Sequence, residues 1–258
     1  MDPPALAEQL TGRYGAFLCA DEREPDCSID LAVEPEEGRG TAFDAKLILS
    51  GDRYLLDGPR FHGMIDPCQK RAKLRFRGPD PAWGIEYFLR VVVAIIAYHN
   101  DGLLVHGAAL RAGAATFLLV GQSGSGKSTA VALSHAAGKA VALGDDLVLL
   151  RPERDGWRAY GTPFWNIQTV ERQGQTSDGL VTGIYKLIKD NQIYAEPMGM
   201  AAATAELFAN APVVNDVPEL APGLLGRCRT IVQHAGMQRL HFRKDAGFWS
   251  VLPGQGGA

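Results

Sequence analysis

The chain has 258 residues, enough for one large domain or for a core domain with a smaller appendage. With 46% hydrophobic and 21% charged residues it has the composition of an ordinary globular protein, able to bury a core of normal size. A net charge of −3 argues against a general nucleic-acid binder, which is usually basic overall.

Four cysteines, Cys19, Cys27, Cys68 and Cys228, are scattered without a CxxC pair. That pattern fits neither a zinc site nor a disulfide scaffold and points to a reducing cytoplasm. Met1-Asp2-Pro3-Pro4 lacks the basic opening of a signal peptide. Residues 1–80 are expected to form an N-terminal substrate or accessory region, and 81–258 the main domain. Within the first part, Glu34-Pro35-Glu36-Glu37-Gly38-Arg39-Gly40 reads as a loop. Ala45–Leu49 and Arg53–Leu56 read as strands between Gly, Asp and Pro breakers. From Lys70 to Arg77 the chain alternates: Ala72, Leu74 and Phe76 fall on one face, and Arg71, Lys73, Arg75 and Arg77 on the other. This is the period of a half-buried strand. Its basic face suits solvent, or a grip on an acidic substrate.

Gly78-Pro79-Asp80-Pro81 breaks the chain, and a helix is expected from about Trp83 to His99, ended by the turn Asn100-Asp101-Gly102. Glu86 and Arg90 interrupt its apolar face, and the run Val91–Tyr98 spans only eight residues. A membrane span needs about 20, so a buried core helix is the better reading. Strands follow at Leu103–Leu110 and Thr116–Val120, then a helix from Lys127 to about Ala137 stopped by Gly138. A further strand is expected at Ala140–Leu143, and a hairpin of Leu147–Leu150 with Trp157–Tyr160.

Between the second of these strands and the helix lies Gly121-Gln122-Ser123-Gly124-Ser125-Gly126-Lys127-Ser128, followed by Thr129. This is the G-x-x-x-x-G-K-[ST] pattern. Its glycines let the backbone curl so that N–H groups point at phosphate oxygens, and the following helix adds its positive end. Residues Gly121 to Thr129 are therefore candidates to bind a nucleotide, with Lys127 on the β- and γ-phosphates and Ser128 on Mg²⁺. The chain has no N-K-x-D or D-x-x-G segment, as a GTPase requires, and no LSGGQ-like signature of an ABC-type ATPase. A compact ATPase or kinase remains.

Asp145-Asp146 closes an apolar strand, with Asp146 19 residues after Lys127. Chain reversal there brings both carboxylates beside bound phosphates, where ligands gather in α/β sheets; the alternative is a plain exposed turn. A magnesium-dependent phosphoryl transfer needs such a carboxylate near the metal and, in a kinase, a base near the acceptor hydroxyl. His106, within Leu103-Leu104-Val105-His106-Gly107, reads either as a packed core residue or as a site residue. Its neighbour Gly107 marks close approach of a ligand or of backbone.

Leu104–Ala108, the glycine-rich loop and Asp145-Asp146, in this order, resemble the catalytic core of HPr kinase/phosphorylase. They resemble still more the HPr-kinase-related kinases of bacterial gene clusters, some of which phosphorylate a serine of a lasso-peptide precursor. The segments Tyr160–Trp165 and Leu240–Trp249 also look like that group, so the resemblance spans roughly residues 84–250. It implies an α/β fold, the variant P-loop architecture shared with phosphoenolpyruvate carboxykinase, beside a smaller N-terminal α+β part. It implies ATP and Mg²⁺, with Asp146 as general base, Lys127 and Ser128 as phosphate lysine and Mg²⁺ ligand, and His106 beside the transferring phosphate. Asp145 would sit by the metal. The family's later acidic Mg²⁺ ligand and catalytic arginine have no clear match: Glu171 and Arg172 fall near the expected place, with Glu171 reading either as that ligand or as a surface residue, and Arg227 and Arg229 are weaker candidates for the arginine. One extra residue separates Lys127 from the acidic pair relative to the HPr enzyme. That enzyme forms hexamers, so a homo-oligomer is an option here.

The sequence thus leads to the expectation of a cytoplasmic kinase acting on a serine-containing peptide or protein, with neither a nucleic acid nor a membrane as partner. A small-molecule kinase on the same scaffold and a non-catalytic nucleotide-gated binding module are the alternatives.

Overall fold

The computed structural model describes residues 3–19, 24–34, 45–78, 81–165 and 176–253. The chain forms a mixed α/β structure of two compact units: Met1–Asn100 with Asp216–Leu220, and Asp101–Asn215 with Ala221–Ala258.

The first unit contains helix α1 (Pro3–Tyr14) and five strands: β1 (Ser28–Glu34), β2 (Lys46–Ser50), β3 (Arg53–Asp57), β4 (Phe61–Asp66) and β5 (Arg71–Arg77). They form one sheet in the order β1-β5-β4-β3-β2, antiparallel except for the parallel pair β1–β5. Strand β5 alternates as expected, with Ala72, Leu74 and Phe76 buried and the four basic side chains exposed. Arg75 and Arg77 pair with Glu34 across the β1–β5 register. Helix α2 (Pro81–His99) covers the apolar face with Gly84, Ile85, Phe88, Val91, Val92 and Ile95, the i, i+3/i+4, i+7 stripe of a helix on a core. Because α2 packs on β4 and β5 it belongs to this unit, and the division falls at Asn100/Asp101, whereas the sequence suggests 80/81. Among the described residues α2 is the one helix long and apolar enough to cross a membrane, and half of its most apolar window is buried in the protein. The residue that turns the chain after α2 is Asp101, at φ +60°, and not Gly102. Aspartate tolerates this left-handed conformation better than most residues.

The second unit is built on β6 (Leu103–Ala112), β7 (Ala115–Val120), β8 (Val141–Gly144), β9 (Leu147–Glu153), β10 (Gly156–Tyr160), β11 (Asp178–Lys189), β12 (Tyr194–Pro197) and β13 (Met237–Phe242). Helices α3 (Lys127–Ala136), α4 (Met200–Ala209) and α5 (Ala221–Ala235) complete it. Pairings run β10–β9–β6–β7–β11 and return to β10, closing a ring, while β13 and β12 extend from β11. The loop strand β7 is antiparallel to β6 and parallel to β11, so the sheet is mixed. One edge of β6 carries both β9 and β8, antiparallel to it: Leu103 faces Leu150, His106 faces Leu147 and Ala109 faces Gly144, after which the register shifts so that Leu110 faces Ala142. The other edge of its second half pairs with β7.

Helix α3 ends as its sequence suggests, with Gly138 at φ +61° donating to the His135 carbonyl. It packs Ala130 and Val131 onto a core of Leu110, Phe117, Leu119, Tyr185, Leu187 and Leu240, closed by Phe248, Trp249 and Leu252 near the chain end. The Trp249 indole N–H donates to Ser134 Oγ at 3.0 Å, pinning that segment to the helix. All four cysteines are free, and burial pushes the Cys228 thiol up to about 12.

In the first unit, a Cβ added at Gly84 would lie 2.4 Å from the Phe76 ring. Gly→Ala in an open helix stabilises by about 1 kcal/mol. Here Gly84→Ala is expected to destabilise by about 1–3 kcal/mol through overpacking, read as a lowered Tm. A raised Tm would show instead that the helix stands off the sheet.

Candidate functional site

The loop begins where β7 ends at Val120. Gly121, Gly124 and Gly126 have φ of +139°, +77° and +108°, a conformation that favours glycine. Ser125 N–H closes a turn on the Gln122 carbonyl at 3.0 Å. A Cβ on Gly126 would lie 2.8 Å from the Phe242 ring, so β13 fixes how closely the loop approaches the sheet. Gly126 caps α3 without any side-chain hydrogen bond, so the first N–H groups of that helix keep their donor capacity. Lys127 is buried and donates from Nζ to the Gly121 carbonyl at 2.6 Å and the Gln122 carbonyl at 3.3 Å. Burial lowers its pKa below that of an ordinary lysine, and the charge of Asp146 opposes the shift.

The acidic pair arrives from the other side of β6. Strands β8 and β9 lie end to end along one edge, and Asp145-Asp146 occupies the gap between them. Gly107 N–H donates to the Asp146 carbonyl at 2.9 Å, while on the opposite edge His106 N–H donates to the Asn210 carbonyl at 2.7 Å. Immediately after the pair, the Thr162 hydroxyl donates to the Leu147 carbonyl at 2.6 Å and ties the start of β9 in place. Gly107 therefore marks close approach of backbone: a Cβ there would lie 2.8 Å from the Leu119 carbonyl oxygen of β7.

These elements converge on one half-open pocket of about 200 Å³, lined by His106, Ser123, Gly124, Gly126, Lys127, Ser128, Thr129, Asp145, Asp146 and Lys189. His106 Nδ1 lies 3.2 Å from Asp146 Oδ1. Asp145 and Asp146 are only 2% and 8% exposed, which rules out the plain surface turn. Of the residues expected to bind a nucleotide, Gly121 and Gln122 serve as carbonyl acceptors for Lys127, and Ser125 shapes the turn. The remaining six line the pocket. Glu171 and Arg172 lie outside the described residues. Arg227 is engaged elsewhere, donating to the Gly102 carbonyl at 2.8 Å and pairing with Asp101. Arg229 is exposed on α5.

Drug-sized ligands occupy cavities of roughly 300–1,000 Å³. The pocket is smaller, of a size for a phosphate chain with the rest of a ligand outside. Its donor set suits such a chain: a lysine, the uncapped helix start, and the hydroxyls of Ser128 and Thr129. Among the described residues no cluster of three His, Cys, Asp or Glu side chains forms a metal cage. Mg²⁺ needs none, since it is commonly held by one or two carboxylates together with phosphates and water. Ser128 and Asp145 fit that pattern. Lys189 belongs to no motif, so nothing in the sequence around it points to the pocket. Asn210 and Thr162, which act through their hydrogen bonds to the site, carry no motif.

Compared with protein-family models and with curated proteins, the chain matches none.

Gly107→Ala is expected to push β6 off the Leu119 carbonyl and destabilise the protein by about 1–3 kcal/mol in chemical denaturation. An unchanged midpoint would mean that the two strands can separate freely at this point.

Proposed function

We propose that the protein is an ATP- and Mg²⁺-dependent kinase that transfers the γ-phosphoryl group to a hydroxyl, most naturally the serine of a peptide or protein. The observation that carries this reading is Asp146, a nearly buried carboxylate beside His106, in the same pocket as the loop lysine. Phosphoryl transfer needs little covalent chemistry from the protein. It needs positive charge and hydrogen-bond donors on the phosphates, a held nucleophile and an acceptor for one proton. Lys127, the first amides of α3 and the loop supply the first requirement. Asp146 supplies the others: its carboxylate orients the acceptor hydroxyl and takes its proton as the oxygen attacks phosphorus. When protonated, the His106 ring donates from both nitrogens, Nδ1 to Asp146 and Nε2 to a phosphate oxygen. Ser128 and Asp145 would hold Mg²⁺, which when bound neutralises charge on the phosphates.

The variant P-loop fold of the HPr kinase and phosphoenolpyruvate carboxykinase type is part of the proposal, as is kinship with HPr-kinase-related kinases and a place in the cytoplasm. It is supported by the loop strand β7, whose antiparallel neighbour on one side departs from the all-parallel doubly wound sheet. Against a nucleotide-gated binding module stands the burial of Asp146, since a gate has no use for a sequestered base.

Asp146→Asn is expected to reduce turnover by about 10²–10⁴-fold while leaving ATP affinity nearly intact; normal turnover would remove Asp146 as the base. Lys127→Ala is expected to weaken ATP binding and turnover together, and unchanged affinity would contradict the loop's role. The charge of Asp146 raises the pKa of Lys127 against burial. Removing it therefore lets the lysine lose its proton at lower pH. In Asp146→Asn the alkaline fall in ATP affinity should move to lower pH than in the wild type, and a shift upward would contradict the coupling.

A further inference from the structure

Lys189 is the last residue of β11. Strand β11 runs parallel to β7, with Lys186 opposite Val120, the residue at which β7 gives way to the loop. Lys189 therefore lies beyond the end of β7, at the carboxyl edge from which the loop springs. Its backbone is firmly held: Lys189 is in register with Phe242, and Asp190 N–H donates to the Phe242 carbonyl at 3.1 Å. The Asp190 carboxylate accepts from Gln192 N–H at 3.1 Å and lies 2.9 Å from His241 Nδ1. The ring of the same Phe242 faces Gly126. One residue thus fixes both the lysine's strand end and the glycine at the start of α3.

Phosphoryl transfer gives work to a second lysine in the pocket. Lys127 is buried and already shared with two carbonyls, and its charged form is penalised by burial, while His106 is turned to Asp146 through Nδ1. In phosphoryl transfer, charge spreads over the three equatorial oxygens of the group in transit. Arg227 is committed to the Asp101–Gly102 turn. Among the described residues Lys189 is the other lysine or arginine lining the pocket.

We propose that Lys189 is a second catalytic cation, whose ammonium contacts the phosphoryl oxygens during transfer; this rests on the kinase reading above. The acceptor oxygen forms its bond to the γ-phosphorus as the bond to the β,γ-bridging oxygen breaks. That bond's electron pair leaves on ADP, the acceptor proton goes to Asp146, and Lys189 keeps its own proton. The exposed side chain on a fixed strand end suits the task, since a compact charge on a flexible stem can follow a moving phosphate.

The test needs no knowledge of the acceptor. Affinities of the full-length protein are measured for Mg-ADP, and for Mg-ADP with aluminium fluoride, a mimic of the phosphoryl group in transit. Lys189→Met is expected to bind ADP as the wild type does but to lose on the order of 10–100-fold in affinity for the mimic. Lys189→Arg should recover most of that loss. Unchanged affinity for the mimic in Lys189→Met overturns the proposal, as does an equal loss for ADP and mimic, which would make Lys189 a ground-state anchor. A wild type that binds neither ligand overturns the kinase reading itself, and with it this one.

Discussion

Strand β6 has different neighbours along its two edges, and the candidate site exists because of how they change. On one edge the chain returns twice, as β8 and then β9, both antiparallel to β6, and the ladder is interrupted at Asp145-Asp146. Outside regular pairing, this pair is tied back to β6 through the hydrogen bond from Gly107 N–H to the Asp146 carbonyl. The opposite edge of the same glycine meets the strand that leads into the loop. A side chain at Gly107 would contact the Leu119 carbonyl, so the narrow spacing that brings acid pair and loop together depends on glycine. His106, one residue earlier, is thereby set beside Asp146.

The electrostatics follow from that convergence. Two carboxylates and an ammonium have been withdrawn from water into one small pocket, where unpaired charge is costly. Lys127 is accommodated by two loop carbonyls and by the field of Asp146, though burial still lowers its pKa. Preorganised charge of this kind has value where a ligand brings complementary charge, because the protein then needs little rearrangement at the moment of reaction. The supporting contacts have the same character. Asn210 on His106 N–H and Phe242 against Gly126 each fix the backbone of a pocket residue without entering the pocket, and Thr162 holds the carbonyl of Leu147, the residue after Asp146.

Much of this frame was legible in the sequence where local chemistry dictates local structure. The alternation in Arg71–Arg77, the stripe of α2, the glycines of the loop and the Gly138 stop are all governed by neighbouring residues, and each element forms within a few positions of where the pattern puts it. The glycine-rich loop and the acid pair could be recognised as partners because only a helix and a strand separate them. What escaped depends on distant residues. Strand β11 contacts β7, β10 and β13, and nothing in its own sequence announces those neighbours or the arrival of Lys189 at the loop. The unit boundary after α2 was equally hidden, because Pro79 and Pro81 punctuate the chain more strongly than Asn100 does, whereas packing of α2 on β4 and β5 decides the division.

The central claim is that this pocket moves a phosphoryl group from ATP to a hydroxyl. Intact-mass spectrometry of the protein with Mg-ATP and a pool of serine-bearing peptides tests it most directly. The account predicts peptides heavier by one phosphoryl group, with the added mass localised to serine and ADP formed in equal amount. Nucleotide that binds while every peptide stays at its original mass, or a mass gain confined to a small metabolite added in parallel, would contradict it.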